Sequence, residues 1–178
     1  TATDADLPAQ TLTYSIISGA DSSLFTVNFS TGVLAFITSH DYEIPNDAGN
    51  DNIYNVTIQV SDGMFNATQN IAITIVPVND NSPAIISLNS FSIPENTTTV
   101  TKVTATDADL PTQSLTYSIT GGSDSALFNV NSATGELNFI AAPDFETPKD
   151  VGADNIYNVT VQISDGERVS AQDIVVTV

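Results

Sequence analysis

The stretch "NIYNVTIQV" (52–60) returns almost unchanged as "NIYNVTVQI" (155–163), and its alternation decides the fold. Tyr54, Val56, Ile58 and Val60 fall on one side of an extended chain, while Asn55, Thr57 and Gln59 fall on the other. That period of two belongs to a strand with one buried face. The same reading extends to "NIAITIVPV" (70–78), "ELNFI" (136–140) and "DIVVTV" (173–178). Between such runs stand "SGAD", "STG", "NDAGND" and "SDG", turn-forming clusters that leave no window for a helix of ordinary length.

Sliding the chain against itself by 103 positions aligns it without a gap, and 45 of the 75 superimposed positions are identical. "TATDADLP" stands at 1–8 and 104–111, "LTYSI" at 12–16 and 115–119, and "SDG" at 61–63 and 164–166. A period this long suits a domain with its own core better than a solenoid unit. The expected organisation is a first domain over 1–76, a linker over 77–83 and a second domain over 84–178. In the complete second copy, strands are predicted near 85–93, 98–106, 114–120, 126–130, 136–140, 155–164 and 168–178. The predicted fold is all-β: tandem seven-stranded Greek-key β-sandwiches of immunoglobulin-like form, without the disulfide and Trp of an antibody domain. The first copy has no equivalent of "AIISLNSFSIPENTTTV" before Thr1, so it lacks an N-terminal strand and is expected to be the less stable. The sequence starts inside its own repeat, which points to a longer parent protein.

Three Lys and Arg stand against 21 Asp and Glu, for a formal charge of -18. Such a chain repels nucleic acid and anionic membranes. Its 41% hydrophobic content nevertheless argues for folding, not disorder. Multivalent cations are the natural company for the unmatched acids. There is no cysteine, hence no disulfide, thiol nucleophile or thiolate metal site, and no apolar run of about 20 residues to span a membrane.

The repeat sorts the acids into pairs: Asp4 with Asp107, Asp6 with Asp109, Asp41 with Asp144, Glu43 with Glu146, and Asp62 with Asp165. In an extended "DAD" or "DYE" the two carboxylates, at i and i+2, face the same way. Calcium takes six to eight oxygen ligands from carboxylates, amides and backbone carbonyls. "NDN" (79–81) offers all three kinds within three residues. Taken singly, each motif is more readily a turn in which an Asp or Asn caps its own backbone, and only the combination around one linker points to metal.

"PVNDNSP" (77–83), "PENTTTV" (94–100), "TATDADLP" followed by "LTYSI", "LFNVNSATGELNF" (127–139), "PDFE" (143–146) and "YNVTVQISDG" (157–166) together resemble the cadherin repeat over essentially the whole chain. The resemblance implies calcium sites between successive domains, holding two or three Ca²⁺ at the central linker. The implied ligands are Asp41 and Glu43 from the first domain, Asn79, Asp80 and Asn81 from the linker, and Asp107, Asp109 and Asp165 from the second domain. A carbonyl near Thr112 is a further candidate. Asp4, Asp6 and Asp62 would be half of an upstream site, and Glu95, Asp144 and Glu146 half of a downstream one. Six of the central ligands are acids, and neighbours a few ångströms apart would repel by roughly 4 kcal/mol per pair at an effective dielectric near 20. Three Ca²⁺ would cancel all six charges. Pro77 stands where the family's linker places an aspartate, so the third, peripheral ion is expected to be weakened.

His40, the only histidine, reads as a solvated loop residue, and no base pairs with a nucleophile in both copies, so no enzyme is expected. The implied function is a calcium-rigidified adhesion or extension module at the cell surface, with homophilic contacts, another surface protein or a polysaccharide as partner. The near-identical repeats without cysteine suggest a large bacterial surface protein. A calcium-stabilised carbohydrate-binding module is the competing reading, although Trp, the best stacking platform for a sugar, is absent.

Overall fold

The computed structural model describes residues 1–178 apart from 7 and 9, and the chain forms two compact units, Thr1–Pro77 and Val78–Val178. Both are built of β-strands in mostly antiparallel sheets, the arrangement of an immunoglobulin-like sandwich.

In the first unit, β1 (Thr13–Ser18), β4 (Ile53–Ser61) and β5 (Asn66–Thr74) form one sheet in the order β1-β4-β5, and β2 (Phe25–Val27) pairs with β3 (Leu34–Phe36). The second unit repeats these as β10 (Thr116–Gly121), β13 (Ile156–Ser164), β14 (Val169–Thr177), β11 (Phe128–Val130) and β12 (Glu136–Phe139). It adds β6 (Ala84–Ile85), β7 (Ser90–Ser92), β8 (Thr99–Lys102) and β9 (Ala105–Thr106), which have no counterpart among the described residues of the first unit.

Two predicted strands prove to be broken. The one expected over 85–93 is two short pieces, because the segment changes partners: β6 pairs with β9, whereas β7 runs parallel to β14. The one expected over 98–106 divides around Val103, which is fully buried and donates its N–H to Gly135 O at 2.9 Å. The start of the strand expected over 126–130 is a 3-10 turn, Ser125–Leu127.

Alternation on the long hairpins places the core. Tyr157, Val159, Val161 and Ile163 of β13 are all buried, together with Leu137, Phe139, Phe128, Val103, Ile174 and Val176. In the first unit Tyr54 and Val56 are buried in the same way, but Ile58 and Val60 are only half-buried. They line a cavity of about 280 Å³ with Tyr14, Leu34, Ala67 and Ile71. The difference follows from β7, β8 and Val103, which supply the second unit with apolar cover. Gly19 and Gly122 directly follow the irregular ends of β1 and β10, with φ of +118° and +97°; a Cβ there would lie 2.5 and 2.4 Å from the Cα of Val56 and Val159. Only glycine meets both demands at once.

His40 is not a solvated loop residue. Its ring centre lies 4.1 Å from that of Phe36 and 4.6 Å from that of Tyr54, and Nδ1 stands 2.8 Å from Asn46 Oδ1.

Several buried acids turn out to need no cation. Asp21 accepts the N–H groups of Ala48 and Asn55 at 2.6 and 2.7 Å, and Asp124 accepts those of Val151 and Asn158 at 2.7 and 2.8 Å. Each ties a long loop to the following strand. Asp47 and Asp150 organise that loop from within; Asp150 accepts the N–H groups of Asp154 and Asn155 at 3.0 and 3.1 Å. Burial pushes both carboxyls up, but their backbone donors outweigh it and leave both below the ordinary range. A folded-state pKa below the unfolded value of about 3.9 stabilises the fold above that pH, and the benefit is lost as pH falls through the folded value. With calcium chelated, the melting temperature should therefore drop below about pH 4, and less steeply in Asp150→Asn. Parallel curves for the two proteins from neutral to acid pH would remove Asp150 from this role.

Candidate metal centre

The second unit draws Asp107, Asp109 and Asp165 together, with one oxygen of each within 4.8 Å of the others. "DAD" follows directly on β9, which ends at Thr106, and Asp107 Oδ1 accepts the N–H of Asp109 at 3.0 Å, a side-chain-to-backbone bond that holds the two carboxylates side by side. Asp165 closes the "SDGER" turn by accepting the N–H groups of Glu167 and Arg168 at Oδ1, both at 2.7 Å. Its pKa lies below the ordinary range because the Arg168 N–H favours the anion; burial opposes this, and the Glu167 N–H adds to the lowering.

Asn81 holds Asp109 from the other side. Its N–H lies 3.2 and 3.1 Å from the two carboxylate oxygens, and its Nδ2 donates to Oδ1 at 2.6 Å and to Asp80 Oδ1 at 3.2 Å. The Asn79 amide faces Asp109 Oδ2 and Asp165 Oδ2. With its nitrogen towards them it donates at 2.9 and 3.3 Å; with its oxygen towards them it joins a wholly oxygen-lined set.

These residues suit a hard cation. Asp109 is 1% exposed and Asp165 7%, while Asp107 Oδ2 is buried without any hydrogen-bond partner. A buried, unsatisfied carboxylate oxygen beside two further carboxylates is costly, and a cation removes that cost. The donors are all oxygen, as calcium prefers. Arg168, which the sequence reading passed over, reaches Asn79 O with Nε at 3.5 Å. Its counterpart in the first copy is Phe65, and that contrast in "SDGMF" against "SDGER" was the available signal.

The other candidate ligands repeat this local side-chain-to-backbone bond. Asp6 N–H donates to Asp4 Oδ1 at 3.0 Å, Glu43 N–H to Asp41 Oδ1 at 2.9 Å, and Glu146 N–H to Asp144 Oδ1 at 3.1 Å. Asp4, Asp6 and Asp62 form one cluster in the first unit, where Asp4 Oδ2 is also buried without a partner. Glu95, Asp144 and Glu146 form another in the second, where Glu95 Oε2 accepts the Phe145 N–H at 3.1 Å. Asp41 and Glu43 belong to the first unit, and Thr112 lies in the second.

Among known proteins, the family model described as "Cadherin domain" matches residues 89–178. Human Protocadherin Fat 4 is 34% identical over 167 residues, covering 88% of this chain and 3% of that protein. Mouse Cadherin-related family member 3 is 32% identical over 192 residues, covering 98% of this chain and 22% of that protein. The chain thus spans only a small part of the curated relatives it matches. The crystal structure of human Protocadherin-24 EC1-2 shares the fold, with a TM-score of 0.71 at 22% identity over 97% of this chain and 83% of that one. These relatives are animal proteins, and they overturn the expectation of a bacterial one. The absence of cysteine describes how such a repeat is held together and does not distinguish its source.

Proposed function

Because the chain belongs to the cadherin family, a family of non-catalytic domains at the extracellular cell surface, we propose that it is a calcium-dependent adhesion or extension module. The two units are read as tandem seven-stranded Greek-key sandwiches, the first without its N-terminal strand, joined by a calcium-binding linker over 77–83. Asn79, Asp80, Asn81, Asp107, Asp109 and Asp165 would hold Ca²⁺ from the side of the second unit, and Asp41 and Glu43 would complete the shell from the first. When bound, the ions supply positive charge to acids that otherwise repel one another.

The observation that carries this reading is the convergence of Asp107, Asp109 and Asp165, with Asp107 Oδ2 buried and unpaired. Asp107, Asp109 and Asp165 are each fixed by backbone or Asn donors, so they are already oriented before a cation arrives. Pro77 supplies no carboxylate, and two ions should be held more firmly than the third. Homophilic contacts, another surface protein or a polysaccharide are the partners such a module would engage.

Ion binding that needs both units should stiffen their junction and add its free energy to the folded state. Small-angle scattering is therefore expected to give a longer, narrower distribution of dimensions in millimolar Ca²⁺ than in EDTA, with a higher melting temperature. Identical scattering in the two conditions would sink the linker role. An unchanged melting temperature as well would sink calcium binding itself.

A further inference from the structure

Corresponding places in the two units are filled differently. In the first, the His40 imidazole packs against Phe36 and Tyr54, and the Tyr54 hydroxyl donates to Asn46 Oδ1 at 2.9 Å. In the second, "FITSH" (36–40) has become "FIAAP" (139–143), and Lys149 replaces Asn46. The ring is gone, two hydroxyl side chains have become methyls, and the acceptor that Tyr54 uses is lost. The second unit has a cavity of about 440 Å³ there, with room for more than the missing ring, lined by Leu127, Phe139, Ala141, Ala142, Lys149 and Tyr157, among others.

The walls are in place without the ring. Phe139 and Tyr157 meet edge-to-face, with centroids 5.0 Å apart and planes at 86°, much as Phe36 and Tyr54 do at 5.2 Å and 80°. Tyr157 Oη accepts the Lys149 N–H at 3.4 Å, but the side-chain acceptor that its counterpart enjoys is missing. Asp144 and Lys149 both stand at the lining, so their opposite charges favour neither a cationic nor an anionic occupant.

We propose that this cavity is a binding site for a free, neutral, planar heteroaromatic ring of about imidazole size, which would pack on Phe139 and Tyr157 and accept a hydrogen bond from the Tyr157 hydroxyl. The first unit carries its own occupant for the corresponding space, and the second takes one from solution. Its lining mixes apolar side chains with Asn96, Asp144, Thr147, Lys149 and the Tyr157 hydroxyl, so a ring would find both packing surface and hydrogen-bond partners there. A ring with so few atoms should bind with a dissociation constant on the order of millimolar.

The test is an amide-resolved NMR titration of the whole chain with imidazole at about pH 8, where the ring is neutral, in millimolar calcium. Saturable shifts confined to residues around Ala141, Ala142, Lys149 and Tyr157 are expected. Pro143→His, which restores the ring of the first unit, should weaken them at least tenfold. His40→Gly should open the matching space and produce a second set of saturable shifts around Thr38, Ser39 and Asn46. No saturable shift up to about 50 mM imidazole would overturn the proposal, as would undiminished binding to a folded Pro143→His. Should Pro143→His not fold, the appearance or absence of the second site in His40→Gly decides the matter in the same sense.

Discussion

Asp109→Asn is expected to lower the calcium affinity of the chain by about 100-fold, or about 2.7 kcal/mol. Loss of a hydrogen bond that merely supports a metal ligand already costs about 10–100-fold, and a directly ligating carboxylate should reach the top of that range. Asp109 is the most enclosed acid of its cluster, at 1% exposure, and both of its oxygens face donors from Asn81. Asparagine keeps its volume, so the effect should come from charge and donor chemistry, not from a void. The sign should reverse without the ion. In EDTA, removing one of three converging carboxylates relieves repulsion, and the variant should melt higher than the parent. Calorimetric titration and paired melting curves read both arms. An unchanged affinity would remove Asp109 from the site, and a lower melting point in EDTA would mean that its role is structural.

The second large effect belongs to Leu137→Ala. Leu137 is wholly buried on β12, and deleting such a side chain typically costs about 2–5 kcal/mol through lost burial and the cavity left behind. For a domain of this size about 3 kcal/mol corresponds to a fall of about 15 °C in melting temperature. Its counterpart Leu34 is only half-buried beside the cavity of the first unit, so Leu34→Ala should cost clearly less. The parent is expected to melt in two steps, with the first unit leading, and Leu137→Ala should shift only the later step. Equal penalties at the two leucines would refute the claim that the same letters are packed differently.

That contrast shows where the sequence was sufficient and where it was not. Alternation within "NIYNVTVQI" depends only on near neighbours, and all four inward residues of the second copy are indeed buried. The break in 85–93 was invisible because it is made by partners far along the chain, β9 and β14. The same holds for Asp21 and Asp124, whose loop donors lie 27 residues away, so that plain turn acids turned out to anchor a loop. His40 looked solvated because nothing local announces that Phe36 and Tyr54 meet it. Asp107 and Asp109 of "DAD" lie together with Asp165, and the Asp107 carboxylate accepts the Asp109 N–H, a contact that spacing alone does not announce.

The parallel pairing of β7 with β14 has a mechanical side. Val175, Val176 and Thr177 lie opposite Ser90, Phe91 and Ser92, so strands from the two ends of the second unit run side by side in the same direction. A load drawing those ends apart would meet this clasp in shear, with its hydrogen bonds resisting together and not opening one after another. The resistance of the second unit to such a stretch is therefore set by three residue pairs.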